Sequence, residues 1–121
     1  MTKSPNLGDK EISMADPIAT KLLYVTAGSP EEATKIATTL VEQKLVACAN
    51  ILAPATSIYC WEGSIETATE TVFVLKTKAG LVDQTIAKIT DLHSYDCPAV
   101  VALDIQTGNQ EFLNWINSNT K

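Results

Sequence analysis

The order of apolar segments predicts an α+β domain of ferredoxin-like type, β-α-β-β-α-β, closed by a short C-terminal helix. Three observations carry this. Two helical stripes alternate with strand-like runs. One run folds back through a glycine turn, and Asn109 opens a last amphipathic stretch. With 121 residues the chain suits one domain. Residues 1–19 mix Pro, Gly, Ser and charge without periodicity, so they are expected to be a flexible tail before a domain at 20–121.

Leu22 to Ala27 (LLYVTA) is a short apolar run that stops at Gly28, as a buried strand does. Ser29, Pro30 and Glu32 then form a capping box with proline in the first turn. Ala33, Ile36, Ala37, Leu40 and Val41 keep helical spacing, and Leu45 and Val46 extend the stripe. Ala47 to Ile51 is small and apolar and is expected to break at Pro54. Thr56 to Trp61 reads as the next strand. Glu62 to Ile65 reads as a tight hairpin, with Gly63 supplying positive φ.

Ile65 to Lys78 is unusually long for a strand. About fourteen extended residues span roughly 45 Å, more than one small domain can pair along its whole length. Its outer half is therefore expected to pair with another subunit. Gly80 opens a second helix, with Leu81 or Val82, Ile86, Ile89 and His93 as its stripe, and Pro98 ends it. Val100 to Ile105 is a third strand region. Phe112, Leu113, Trp115 and Ile116 supply the packing of the final helix.

Composition excludes several functions. The net charge is −5 and the chain has no Arg, its positive charge coming from Lys alone. Bidentate readout of phosphate or guanine relies on the Arg fork, and nucleic-acid binders carry a basic face, so nucleic acid is an unfavoured partner. The same lack removes an arginine cradle of acylphosphatase type beside Gly28. Tyr24 alone does not make an RNA-stacking platform. No CxxC occurs, and Cys48, Cys60 and Cys97 are odd in number, which argues against a disulfide framework and a closed zinc site. The longest clean apolar run, Ala99 to Leu103, is far below the ~20 residues of a membrane helix, so no membrane insertion is expected. A cytoplasmic location is the default expectation.

Five segments in order resemble the CutA family of divalent-cation tolerance proteins. They are Leu45–Ile51 (LVACANI), Ser57–Gly63 (SIYCWEG), Leu75–Thr77 (LKT), His93–Pro98 (HSYDCP) and Phe112–Ile116 (FLNWI). The resemblance covers roughly residues 21–119. It implies a homotrimer of ferredoxin-like subunits, similar to PII signalling proteins, whose subunit clefts hold small effectors. It implies no enzymatic reaction. It also implies a link to copper or another divalent cation, as a ligand that folding does not require. Carried over by position, Cys48, His93, Tyr95, Pro98, Trp61, Glu62, Gly63 and Lys76 match the family's motifs. Ser94, Asp96, Cys97 and Ala99 depart from the usual residues, and Leu92 and Val25 stand where some bacterial members have His and Cys.

His93, Cys48 and Cys97 are thus the candidate metal ligands. For His93 a helix-end histidine bonded to backbone is the equal alternative, and for Cys48 a buried small side chain is the favoured one. Glu62, Glu70, Lys76 and Tyr95 are candidates for a cleft holding a small anionic effector. Trp61 and Trp115 are candidates for trimer packing. An enzyme is not expected. The leading expectation is copper-preferring divalent-metal binding by a trimer. The alternatives are a PII-like effector module and a structural trimer that anchors a partner protein.

Overall fold

A computed structural model describes residues 18–121, so the expected tail at 1–19 lies almost wholly outside the described residues. The elements are β1 (Thr20–Ala27), α1 (Pro30–Glu42), β2 (Cys48–Trp61), β3 (Ser64–Lys78), α2 (Val82–Leu92), β4 (Val100–Ile105) and α3 (Gln110–Ser118). The four strands form one antiparallel sheet in the order β2-β3-β1-β4. The α+β ferredoxin-like arrangement expected from the sequence is the one observed.

Burial follows the period of each element. In β1, Leu23, Val25 and Ala27 point to one face, and their neighbours Phe73 and Leu75 on β3 point the same way. Ala33, Ile36, Ala37 and Leu40 of α1 and Ile89 of α2 close over them to form the core. Val41, counted in the stripe by spacing, lies at its margin and is 40% exposed. The opposite sheet face carries Leu22, Tyr24, Val74, Lys76, Val101 and Leu103 by register. Helix α3 lies on this second face, since the Lys76 ammonium sits 5.9 Å over the Phe112 ring. Tyr24, Val101 and Leu103 remain exposed there.

Caps explain where helices begin. The Ser29 hydroxyl accepts from the Glu32 N–H at 3.1 Å, with Pro30 in the first turn. The Asn109 side chain accepts from Glu111 and Phe112 N–H at 2.9 and 3.3 Å and opens α3. The capping box is only half formed, because the Glu32 carboxylate accepts from Gly28 and Ser94 instead of returning to Ser29. Before α2 a single 3-10 turn, Ala79–Leu81, replaces the helix start expected at Gly80. Thr85 joins Leu81, Ile89 and His93 on the buried stripe. Its hydroxyl bonds the Leu81 and Leu45 carbonyls at 2.7 and 3.2 Å, and Thr77 bonds the same Leu45 carbonyl at 2.7 Å. A carbonyl just beyond α1, buried and without a helical partner, is thereby satisfied.

The main departure from expectation is at Pro54. It does not end a strand. β2 runs unbroken from Cys48 to Trp61, with a register irregularity between Ile51 and Pro54. Proline is tolerated because β2 is an edge strand, where one missing N–H leaves no ladder bond unmade within the sheet. The hairpin that follows has a two-residue loop, Glu62 (φ +49°) and Gly63 (φ +82°), with Trp61 opposite Ser64. Two successive positive φ values match a type I′ turn, whose twist suits a strand pair.

β1 ends opposite Thr71, while β3 begins at Ser64. Residues Ala55–Trp61 and Ser64–Glu70 therefore pair only with each other and project as a two-stranded arm. Ile58, Trp61 and Ile65 on this arm are 71%, 62% and 74% exposed.

Phe73 is the largest fully buried side chain of the core. Phe73→Ala should cost about 3–5 kcal/mol of unfolding free energy in chemical denaturation. A loss below about 1 kcal/mol would show that the sheet–helix layer does not depend on it.

Candidate functional site

The α2–β4 connection carries the richest polar geometry. His93 closes α2, donating its backbone N–H to Ile89 at 2.9 Å. Its ring is buried. Nδ1 lies 3.1 Å from the Tyr95 backbone N–H, which can only donate, so Nδ1 is the accepting nitrogen. Nε2 therefore carries the proton and donates to the Thr26 carbonyl at 2.8 Å. Both ring nitrogens are engaged, as in the reading of a helix-end histidine bonded to backbone.

Glu32 connects this loop to the β1–α1 turn. Its two carboxylate oxygens accept from Ser94 N–H at 2.8 Å and Gly28 N–H at 3.3 Å, and one lies 3.7 Å from His93 Nδ1. Burial pushes this carboxyl upward, but the hydrogen bonds from Ser94 and Gly28 outweigh it, and the net pKa lies below the ordinary value. Tyr95 packs on His93 with ring centroids 4.6 Å apart, and its hydroxyl donates to Glu70 at 3.1 Å. Burial, then the adjacent Glu70 carboxylate, push the phenol upward, so it stays a donor. The ring packs beside Gly28, where a Cβ would make an ordinary contact 3.5 Å from the Tyr95 hydroxyl.

The other candidates are dispersed. Cys48 pairs in register with Lys76 on the α3 side of the sheet. Burial pushes the Cys48 thiol up and the Lys76 charge only partly offsets this, so it is a neutral thiol at physiological pH. Cys60 and Cys97 are exposed, and all three cysteines are free. Among the described residues no three His, Cys, Asp or Glu side chains converge as a ligand set. His93, Cys48 and Cys97 thus do not converge within one chain, and both ring nitrogens of His93 are engaged by backbone groups.

Of the cleft candidates, only Glu70 and Tyr95 meet. Glu62 stands in the hairpin turn, and Lys76 lies roughly 40 Å of strand away. The Lys76 ammonium bonds Asn50 at 2.6 Å. Trp61 is exposed near the arm tip, whereas Trp115 stacks on Phe112 within its own helix at 5.7 Å. Glu32 is the polar residue whose wider role the sequence hid. Its spacing from Ser29 marked a cap, but nothing local pointed to a partner at Ser94.

The sign of the Glu32 shift sets a pH dependence. A carboxyl with a lowered native pKa contributes stability above its unfolded value near 4.5, and that contribution fades as pH falls through the lower native value. Glu32→Gln should therefore lower thermal stability at neutral pH and flatten its decline as pH falls through and below about 4.5. An unchanged acid limb in a pH series of melting curves would contradict this.

Comparison with known proteins agrees with the fold. The family model described as CutA1 divalent ion tolerance protein matches residues 21–119. The chain is 43% identical over 95 residues to the Divalent-cation tolerance protein CutA of Archaeoglobus fulgidus, covering 78% of this chain and 92% of that protein. It is 35% identical over 100 residues to the chloroplastic Protein CutA 1 of Oryza sativa, covering 83% of this chain but 56% of that one. The chain thus spans about half the length of the plant relatives. Among solved structures, CutA1 of Ehrlichia chaffeensis superposes with a TM-score of 0.82 at 40% identity, covering 90% of this chain and 99% of the other. CutA1 of Oryza sativa superposes with a TM-score of 0.84 at 33% identity, over 87% and 96% of the two chains. With its fold and 99 consecutive residues, 21–119, matched, the chain belongs to the CutA1 family of divalent ion tolerance proteins.

Proposed function

We propose that this protein acts in divalent-cation tolerance as a non-enzymatic homotrimer, with donors from different subunits holding the cation, copper included. The observation that carries the reading is the unpaired arm. Ile58, Trp61 and Ile65 are exposed where β2 and β3 have no third strand. Tyr24, Val101 and Leu103 add apolar surface on the sheet face. Large exposed apolar side chains gathered on an unpaired ribbon mark a contact with another chain. An exposed two-stranded ribbon is marginal alone and gains stability from a neighbouring strand.

Cation binding follows from the same assembly. No converging triad forms within the described residues of one chain. Exposed donors lie in two separate places, Cys60 with Glu62 near the arm tip and Asp96 with Cys97 in the α2–β4 loop, and neighbouring subunits would have to add to either to complete a site. Copper preference is then ordinary chemistry, since Cu(II) outcompetes other divalent ions at most N, O and S sites. Three free cysteines suit a reducing compartment such as the cytoplasm. No helix among the described residues is long and apolar enough to cross a membrane.

Native mass spectrometry of tag-free protein, with and without added Cu(II), tests both halves. A trimer holding copper in fixed ratio is expected. Ile65→Asp should give monomers, because a carboxylate buried without a partner in a subunit contact costs several kcal/mol. A wild-type monomer would overturn the assembly, and a trimer that retains no copper would overturn the cation-binding half alone.

A further inference from the structure

We propose that Tyr95 and Glu70 form a brace that sets the angle at which the β2–β3 arm leaves the body, and so position the arm for contact with neighbouring copies of the chain. This inference rests on the trimer reading above. Glu70 stands at the root of the arm. β1 ends with Ala27 opposite Thr71, so Glu70 is the first β3 residue without a β1 partner. From there outward the ribbon is two strands wide, and such ribbons twist and bend more freely than sheets. Among the described residues, the Tyr95–Glu70 hydrogen bond at 3.1 Å is the one side-chain bond joining residues 55–70 to the rest of the molecule.

The Tyr95 end of the brace is fixed. Its N–H is held by His93, which is held in turn by Thr26 on β1, and the preceding Ser94 N–H is held by Glu32 on α1. The ring lies against His93 and over Gly28. β1, α1 and the end of α2 therefore all bear on one hydroxyl, and that hydroxyl bears on the arm. Leverage makes the angle matter. Glu70 lies six steps along β3 from Ser64, roughly 20 Å of strand, so a tilt of roughly 10° at the root moves the tip by roughly 3–4 Å. A shift of that size is larger than close-packed contacts tolerate.

The test uses the full chain and three single variants. Tyr95→Phe removes the hydroxyl and keeps the ring. Glu70→Ala removes the acceptor, and Glu70→Gln keeps an acceptor oxygen. Dissociation of the trimer on dilution would be followed by mass photometry, and amide exchange over residues 56–69 by mass spectrometry. Tyr95→Phe and Glu70→Ala should each raise the dissociation midpoint about ten-fold and speed exchange in the arm, with core amides unchanged. The double variant should be no worse than either single one, and Glu70→Gln should stay near wild type. A trimeric wild type with Tyr95→Phe indistinguishable from it in both readouts would overturn the brace and leave the trimer standing. Additive losses in the double variant would also overturn it. A wild type that is monomeric at every concentration would overturn both.

Discussion

The mismatch in length between β3 and β1 is the constraint from which the rest of this molecule follows. β3 has fifteen residues, and β1 covers only those from Thr71 to Lys78. The covered half is a conventional sheet strand, with Thr71, Phe73, Leu75 and Thr77 buried beneath the helices. Among the described residues, the uncovered half pairs with β2 alone. Backbone groups on the outer edges and apolar side chains on both faces are left to solvent in a single chain. Shortening the hairpin would remove that exposure at no cost to the core. An arm of this length is therefore best understood through what it touches in an assembly.

A second consequence concerns the loop between α2 and β4, which fills the space where β1 stops. A loop at a sheet end needs partners for its backbone, and this one draws them from side chains. Glu32 serves Gly28 and Ser94, and His93 serves Tyr95 while bonding Thr26. The histidine is consumed by this work. An imidazole with one nitrogen accepting from a backbone N–H and the other donating to a carbonyl has no lone pair free for a metal. The only imidazole of the chain is thus a structural tie, and it stands beside the one hydroxyl among the described residues that bonds the arm.

In the proposed trimer, a cation site would be a property of the assembly. The cysteines lie on different elements: Cys48 is partly buried beside Lys76, Cys60 is near the arm tip, and Cys97 is in the loop. Symmetry can bring together what one fold keeps apart, because a donor near a symmetry axis is repeated by each subunit. The exposed donors are on the parts of the chain that are least covered by their own fold. Cys48, partly buried and with its thiol raised by desolvation, is the least accessible of the three.

Periodicity alone was enough for the element order, the α1 stripe, the positive φ at Gly63 and the excess length of β3, because each is a local property of side-chain spacing or turn chemistry. Pro54 misled, since a proline signals a break unless the strand is known to be an edge, and edge status is a fact of sheet order. Thr85 was missed on the α2 stripe because its burial depends on the Leu45 carbonyl, forty residues away in sequence. The double role of Glu32 was invisible for the same reason: Ser94 is distant in sequence and adjacent only after α2 packs. His93 could be named from its type and position, but its tautomer depended on which backbone groups the fold placed against each nitrogen. Spacing along a chain determines helices, strands and turns. Partners across the fold decide what a polar side chain does, because hydrogen bonds act over about 3 Å and local sequence does not show which distant groups come that near.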